Sequence, residues 1–136
     1  MKVKKVQIHE FDPVIYPRKL WIVVTDKPKI LSDNFDYIND EDNSPFDTSH
    51  AFVFNCQHNK SKLKGVCICF TKKATINYKN VSHESVHVAS NIFEDCGMSM
   101  GFSNGKDEHF AYLVGWIAEC CETVKNVKNL TIINKN

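Results

Sequence analysis

The chain has 136 residues, 43% of them hydrophobic and 24% charged, and its 17 basic and 16 acidic side chains leave a formal charge of +1. This composition excludes a mostly disordered chain, a collagen and a coiled coil, and the length allows one hydrophobic core, so residues 1–136 are expected to form a single domain. So balanced a charge supplies no global field toward nucleic acid or an anionic membrane, and neither is expected as a partner.

No segment approaches the ~20 apolar residues needed to span a bilayer. The nearest, Ala111 to Cys121, is interrupted by Glu119. The basic N-terminus lacks the apolar run of a signal peptide, so a cytoplasmic location is expected, in the host cytoplasm if the chain is phage-encoded. Six cysteines stand at 56, 67, 69, 96, 120 and 121, with no Cys-x-x-Cys pair. They read as reduced, mostly buried thiols rather than a zinc ribbon or a disulfide framework.

The first half reads as strands. Val3 to Phe11 alternates loosely, and Leu20 to Val24 is a short apolar run rich in β-branched residues, as in a buried strand. Ser32 to Ser49 holds six acidic residues and no Lys or Arg. Without the glycine and closing glutamate of a calcium loop it reads as a solvated surface loop. Ala51 to Cys56 and Gly65 to Thr71 are two more apolar runs, separated by a polar stretch, and predict a hairpin with a longish loop.

The second half reads as two helices. One runs from about Asn77 to Cys96 and stops at Gly97. The other runs from about Gly105 to Val124, with Asn104 as N-cap and Asp107 and Glu108 in the first turn, where the dipole favours negative charge. Phe110, Leu113, Val114, Ile117, Cys121 and Val124 give it a core-facing stripe. Strands first and helices second predict an α+β fold: a small antiparallel or mixed sheet followed by two helices, with no second subdomain.

The first of these helices contains His83-Glu84-Ser85-Val86-His87, which is His-Glu-x-x-His. Residues four apart share a helix face, so both imidazoles can address one metal ion. Glu84, offset by about 100°, can reach a metal-bound water without being a ligand. A shuffled chain of this composition shows such a pentapeptide about once in a hundred trials, and seldom in mid-helix.

A catalytic zinc takes three protein ligands and keeps one position open. Candidates for the third are Glu108, His109, Asp107, Glu94 and Asp95. Glu108, Ala111, Gly115 and Ala118 share one helix face, and a small-residue seam packed on the first helix would point Glu108 at its neighbour. A plain antiparallel hairpin would instead place Glu108 opposite the end of the first helix, and Glu94 or Asp95 would then gain. Tyr112, and less readily His109, are candidates to hold an oxyanion. His9, His50 and His58 are isolated and are expected at the surface.

His83-Glu84-x-x-His87, with Glu108 opening the next helix, resembles the gluzincin branch of zinc metallopeptidases over about Val66 to Val124. The text from Glu108 to Gly115 looks like that family's Glu-x-x-Ala pattern. The whole chain is also similar to small His-Glu-x-x-His proteins of bacterial phages and mobile elements. The resemblance implies a zincin-like core, Zn2+ held by His83, His87 and Glu108, and Glu84 as general base. It implies hydrolysis of a peptide or protein substrate, with a strand within Gly65 to Ile76 pairing with the substrate. Most gluzincins carry a second subdomain below the cleft, and this chain has no room for one. A catalytically silent, zinc-stabilised interaction factor, for example one that binds a host protein, is the alternative. Iron in a two-His-one-carboxylate set and a homo-oligomer also stay open.

Overall fold

The computed structural model describes residues 7–37, 50–101, 105, 107–127 and 133–134. Its strands are β1 (Gln7–Phe11), β2 (Lys19–Val24), β3 (Phe35–Tyr37), β4 (Ala51–His58), β5 (Lys64–Phe70) and β6 (Ile133–Asn134). Its helices are α1 (Pro28–Asn34), α2 (Tyr78–Asp95) and α3 (Glu108–Lys125). The strands form one mixed sheet in the order β3-β4-β5-β2-β1-β6. The fold is α+β, with no second subdomain among the described residues. No described helix is long and apolar enough to cross a membrane.

The two most apolar runs lie side by side at the centre. β2 pairs parallel with β5 from Lys19↔Gly65 to Val24↔Phe70. Side chains alternate across a strand, so this register sorts them into two cores. Leu20, Ile22, Val66, Ile68 and Phe70 face a core completed by α2 and α3. Trp21, Val23, Cys67 and Cys69 face a second core with Ile8, Leu31, Phe35 and Cys56. Burial on both faces explains why these strands read as unbroken apolar runs. Gly65 is required by close approach: a methyl group there would lie 2.0 Å from the Lys19 carbonyl oxygen.

β4 and β5 form the expected hairpin, antiparallel from Ala51↔Phe70 to Gln57↔Lys64. The loop expected over Ser32 to Ser49 is corrected at its start, where the chain finishes α1 and forms β3 against β4. The rest of it, residues 38–49, lies outside the described residues, as does the expected N-cap Asn104. α1 has no counterpart among the expected elements. It starts at Pro28, which suits a first helical position, and buries Leu31. His9, expected at the surface, is buried, and His58 stacks on Trp21 with ring centroids 5.9 Å apart.

α2 begins at Asn77, whose side chain accepts from the Asn80 amide at 2.9 Å. It ends in a Schellman arrangement: the Gly97 amide donates to the Glu94 carbonyl and the Met98 amide to the Phe93 carbonyl, with Gly97 at φ +66°. Asp95 sits at the helix C-terminus, where the dipole opposes it, and Arg18 pairs with it at 3.3 Å. α2 and α3 run antiparallel. The Phe93 ring at the end of α2 packs edge-on against Phe110 at the start of α3, at 5.4 Å. At the other end the Lys125 ammonium lies over the Tyr78 ring. Leu113, Ile117, Cys121 and Val124 of the expected stripe are buried, with Phe110 and Val114 packed against them.

All six cysteines are free thiols, and only Cys96 is not buried. Burial pushes the thiols of Cys69, Cys120 and Cys121 up to about 12 and that of Cys67 well above its usual value. Native protein should therefore expose Cys96 alone to DTNB, and the other five should react only after denaturation. Gly65→Ala should lower stability by about 1–3 kcal/mol in urea unfolding, because the added methyl must displace main chain.

Candidate functional site

The stripe that seats α2 on the sheet consists of Ser85, Val88, Ala89, Ile92 and Phe93. At 100° per residue, seating that stripe fixes the rest of the helix. His83 and His87 fall on the exposed rim. Glu84, one turn before Val88, falls at the edge of the buried face and is 7% exposed, whereas the His83 side chain is 67% exposed.

The two rings converge. Nε2 of His83 and Nε2 of His87 are 3.1 Å apart, so one ring donates to the other. A tetrahedral zinc with Zn–N of about 2.0–2.1 Å would hold two such nitrogens about 3.3 Å apart. A shift of a few tenths of an ångström would let the pair accept a divalent cation. The pair offers two of the three protein ligands that a catalytic zinc takes.

Glu84 lies beside this pair, its Oε1 3.9 Å from the His83 Nε2. Burial raises its carboxyl above the ordinary carboxylate range, and His83 and His87 oppose that rise in part. Cys121 of α3 faces it. That thiol is raised first by burial, then by Cys120, and then by the Glu84 carboxylate.

Glu84, His87 and Asn91 form one wall of a groove of about 270 Å³, and Ala51, Phe52 and Val53 of β4 form the other. α2 packs on both β4 and β5, as the expectation of a strand beside it within Gly65–Ile76 requires, but the groove wall itself comes from β4. β5 lies inside the sheet, between β4 and β2. β3 pairs with β4 only at Cys56, Gln57 and His58. Among the described residues, Ala51 to Asn55 have a strand neighbour on one side only.

The remaining expected site residues lie elsewhere. Glu108 opens α3 next to the C-terminal end of α2, because the helices are antiparallel and Phe110 meets Phe93. It is not brought to His83 and His87. The seam of Ala111, Gly115 and Ala118 does not seat α3 on α2. Ala111 and Gly115 are exposed, and a methyl group at Gly115 would meet no atom within 4 Å. The larger apolar stripe wins that face, since it removes far more surface from water. Asp95 is held by Arg18, Glu94 is exposed two turns past His87, and Asp107 caps α3. His109 and Tyr112 line a different groove with Pro13, Ile15, Tyr16, Leu113 and Trp116, and Tyr112 is 75% exposed. Among the described residues, no third His, Cys, Asp or Glu joins the histidine pair.

The sequence pattern does not single out Asn91. Its spacing of four from His87 and eight from His83 is a signal, but asparagine is too common on helix surfaces for spacing alone to mark it. Comparison with family models, characterised proteins and solved structures gives no match.

The raised Glu84 carboxyl has a consequence for stability. A carboxyl raised in the folded state weakens that state once pH exceeds its ordinary value, and the penalty is complete above the raised value. Glu84→Gln should therefore stabilise the metal-free protein at neutral pH. The gain should fade as pH falls through the raised value toward about 4.5, the ordinary glutamate value, and be absent below it. Urea unfolding in EDTA at pH 4 and pH 7.5 measures it, and equal gains at both pH values would refute burial of the Glu84 charge as the cause.

Proposed function

We propose that the chain is a zinc-dependent, metallopeptidase-like hydrolase of the His-Glu-x-x-His type acting on a peptide or protein, with His83 and His87 as metal ligands and Glu84 as general base. The observation that carries this reading is the convergence of the two imidazoles, at 3.1 Å, beside a carboxylate buried at the head of a groove. A bound zinc ion would supply Lewis acidity toward a water and a carbonyl oxygen. The chain's own residues do the rest. His83 and His87 present two neutral nitrogens from one rigid helix face. Glu84 is close enough to take a proton from a water held at the groove head, and its desolvation makes it a stronger base than an exposed glutamate. β4 supplies a wall of the groove against which an extended chain can lie.

The exposure of His83 favours a second reading. A site this open also suits a catalytically silent factor whose zinc is shared with a protein partner, a host protein among them. Glu84 decides between the two, because it has a task only in the hydrolase.

Zinc analysis of purified protein tests the assignment. His83→Ala and His87→Ala should each weaken zinc binding by at least about tenfold. Glu108→Ala should leave it unchanged, given the place of Glu108 in the fold. Glu84→Gln should keep zinc and lose about 10²–10⁴-fold in hydrolysis of a casein or peptide-library substrate. Full zinc retention in both histidine variants would end the metal assignment. Zinc binding without any Glu84-dependent hydrolysis would favour the silent factor.

A further inference from the structure

We infer that Asn91 is the residue with which the groove recognises a main-chain peptide group of an extended substrate, one helical turn from the histidine pair. The inference rests on the hydrolase reading and deepens it by naming how the substrate is held.

Asn91 lies about 6 Å along the helix axis from His87, turned about 40° from it, and about 12 Å from His83, turned about 80°. It is half-buried and lines the groove with Glu84 and His87, opposite Ala51, Phe52 and Val53. Its side chain makes no hydrogen bond among the described residues. A carboxamide donates through Nδ2 and accepts through Oδ1. A peptide group offers the complementary C=O and N–H, and both need partners once removed from water. An extended chain advances about 3.3 Å per residue, so the roughly 6–12 Å between Asn91 and the histidine pair corresponds to a peptide group about two to four residues from the reacting carbonyl.

The rest of the lining narrows the ligand class. Among the described residues, no Lys or Arg lines the groove. At Asn91, beyond the metal ligands, a carboxylate or phosphate would find no basic side chain among the described lining and would sit on the same wall as Glu84. On the β4 wall, Ala51 and Val53 turn their side chains to the α2 side of the sheet, which suits an apolar side chain next to the bond to be cut. The ligand that fits is a neutral, extended peptide carrying apolar residues, held by Asn91 on one side and facing β4 on the other.

The test uses the full chain carrying Glu84→Gln, loaded with zinc, so that the ligand is bound but not consumed. The probe is an N-acetylated, C-amidated alanine hexapeptide with phenylalanine and leucine at its centre. Its affinity is followed by ¹H–¹⁵N spectra that include the Asn91 side-chain amide, and zinc content is measured on the same samples. The Asn91 amide signal should move on titration. Asn91→Ala should weaken peptide binding about 5–20-fold at unchanged zinc content, the worth of one or two hydrogen bonds to a neutral group. Asn91→Asp, which loses the donor and adds a charge, should weaken it at least as much. Peptide binding by Asn91→Ala within about twofold of its parent, or a zinc-loaded parent that binds no peptide, would overturn the inference alone. A parent that takes up no zinc would remove the hydrolase reading and the inference with it.

Discussion

Burial of β2 and β5 on both faces is the constraint from which the rest of the molecule follows. Their parallel register sends Leu20, Ile22, Val66, Ile68 and Phe70 to one side and Trp21, Val23, Cys67 and Cys69 to the other. Each face must be covered, because apolar area left in water costs roughly 25 cal/mol per Å². α1 and β3 help close one face through Leu31 and Phe35. The antiparallel pair α2 and α3 closes the other. The rotation of α2 about its axis is then decided by Val88, Ala89, Ile92 and Phe93. That same rotation leaves His83 and His87 on the rim and Glu84 at the edge of the core.

Glu84 stands where core and site meet. A carboxylate buried among apolar groups is disfavoured in its charged form. Here burial outweighs the opposing pull of the two histidines, and the carboxyl is raised. A buried carboxyl held above its ordinary value weakens a fold and strengthens a base. Asp95 shows the contrasting case. It also sits in an unfavourable place, at a helix C-terminus, but Arg18 neutralises it from the β1–β2 connection. The difference in partnering separates a carboxylate that ties elements together from one left available.

Much of this was legible along the chain because it depends on local spacing. The apolar runs at Leu20–Val24, Ala51–Cys56 and Gly65–Thr71 became β2, β4 and β5, and the stripe from Phe110 to Val124 became the buried face of α3. The i,i+4 placement of His83 and His87 follows from helix geometry alone. The readings of Glu108 and of the small-residue seam failed because they depended on which element lies beside which. Ala111, Gly115 and Ala118 share a face whichever way α3 packs, and only the competition with Leu113, Ile117, Cys121 and Val124 turned that face to solvent. α1 is only seven residues long, too short for apolar periodicity to announce it.

The sequence by itself therefore determined the α+β class, the two long helices and the His-Glu-x-x-His face, because hydrophobic period and helical spacing are properties of neighbouring residues. The tertiary structure alone decided that α2 and α3 run antiparallel, which carries Glu108 to the far end of the pair. It also decided that β4 rather than β5 walls the groove, and that Asn91 joins Glu84 and His87 there. Those outcomes turn on which arrangement buries the most apolar surface across the whole chain. No window of residues contains that comparison.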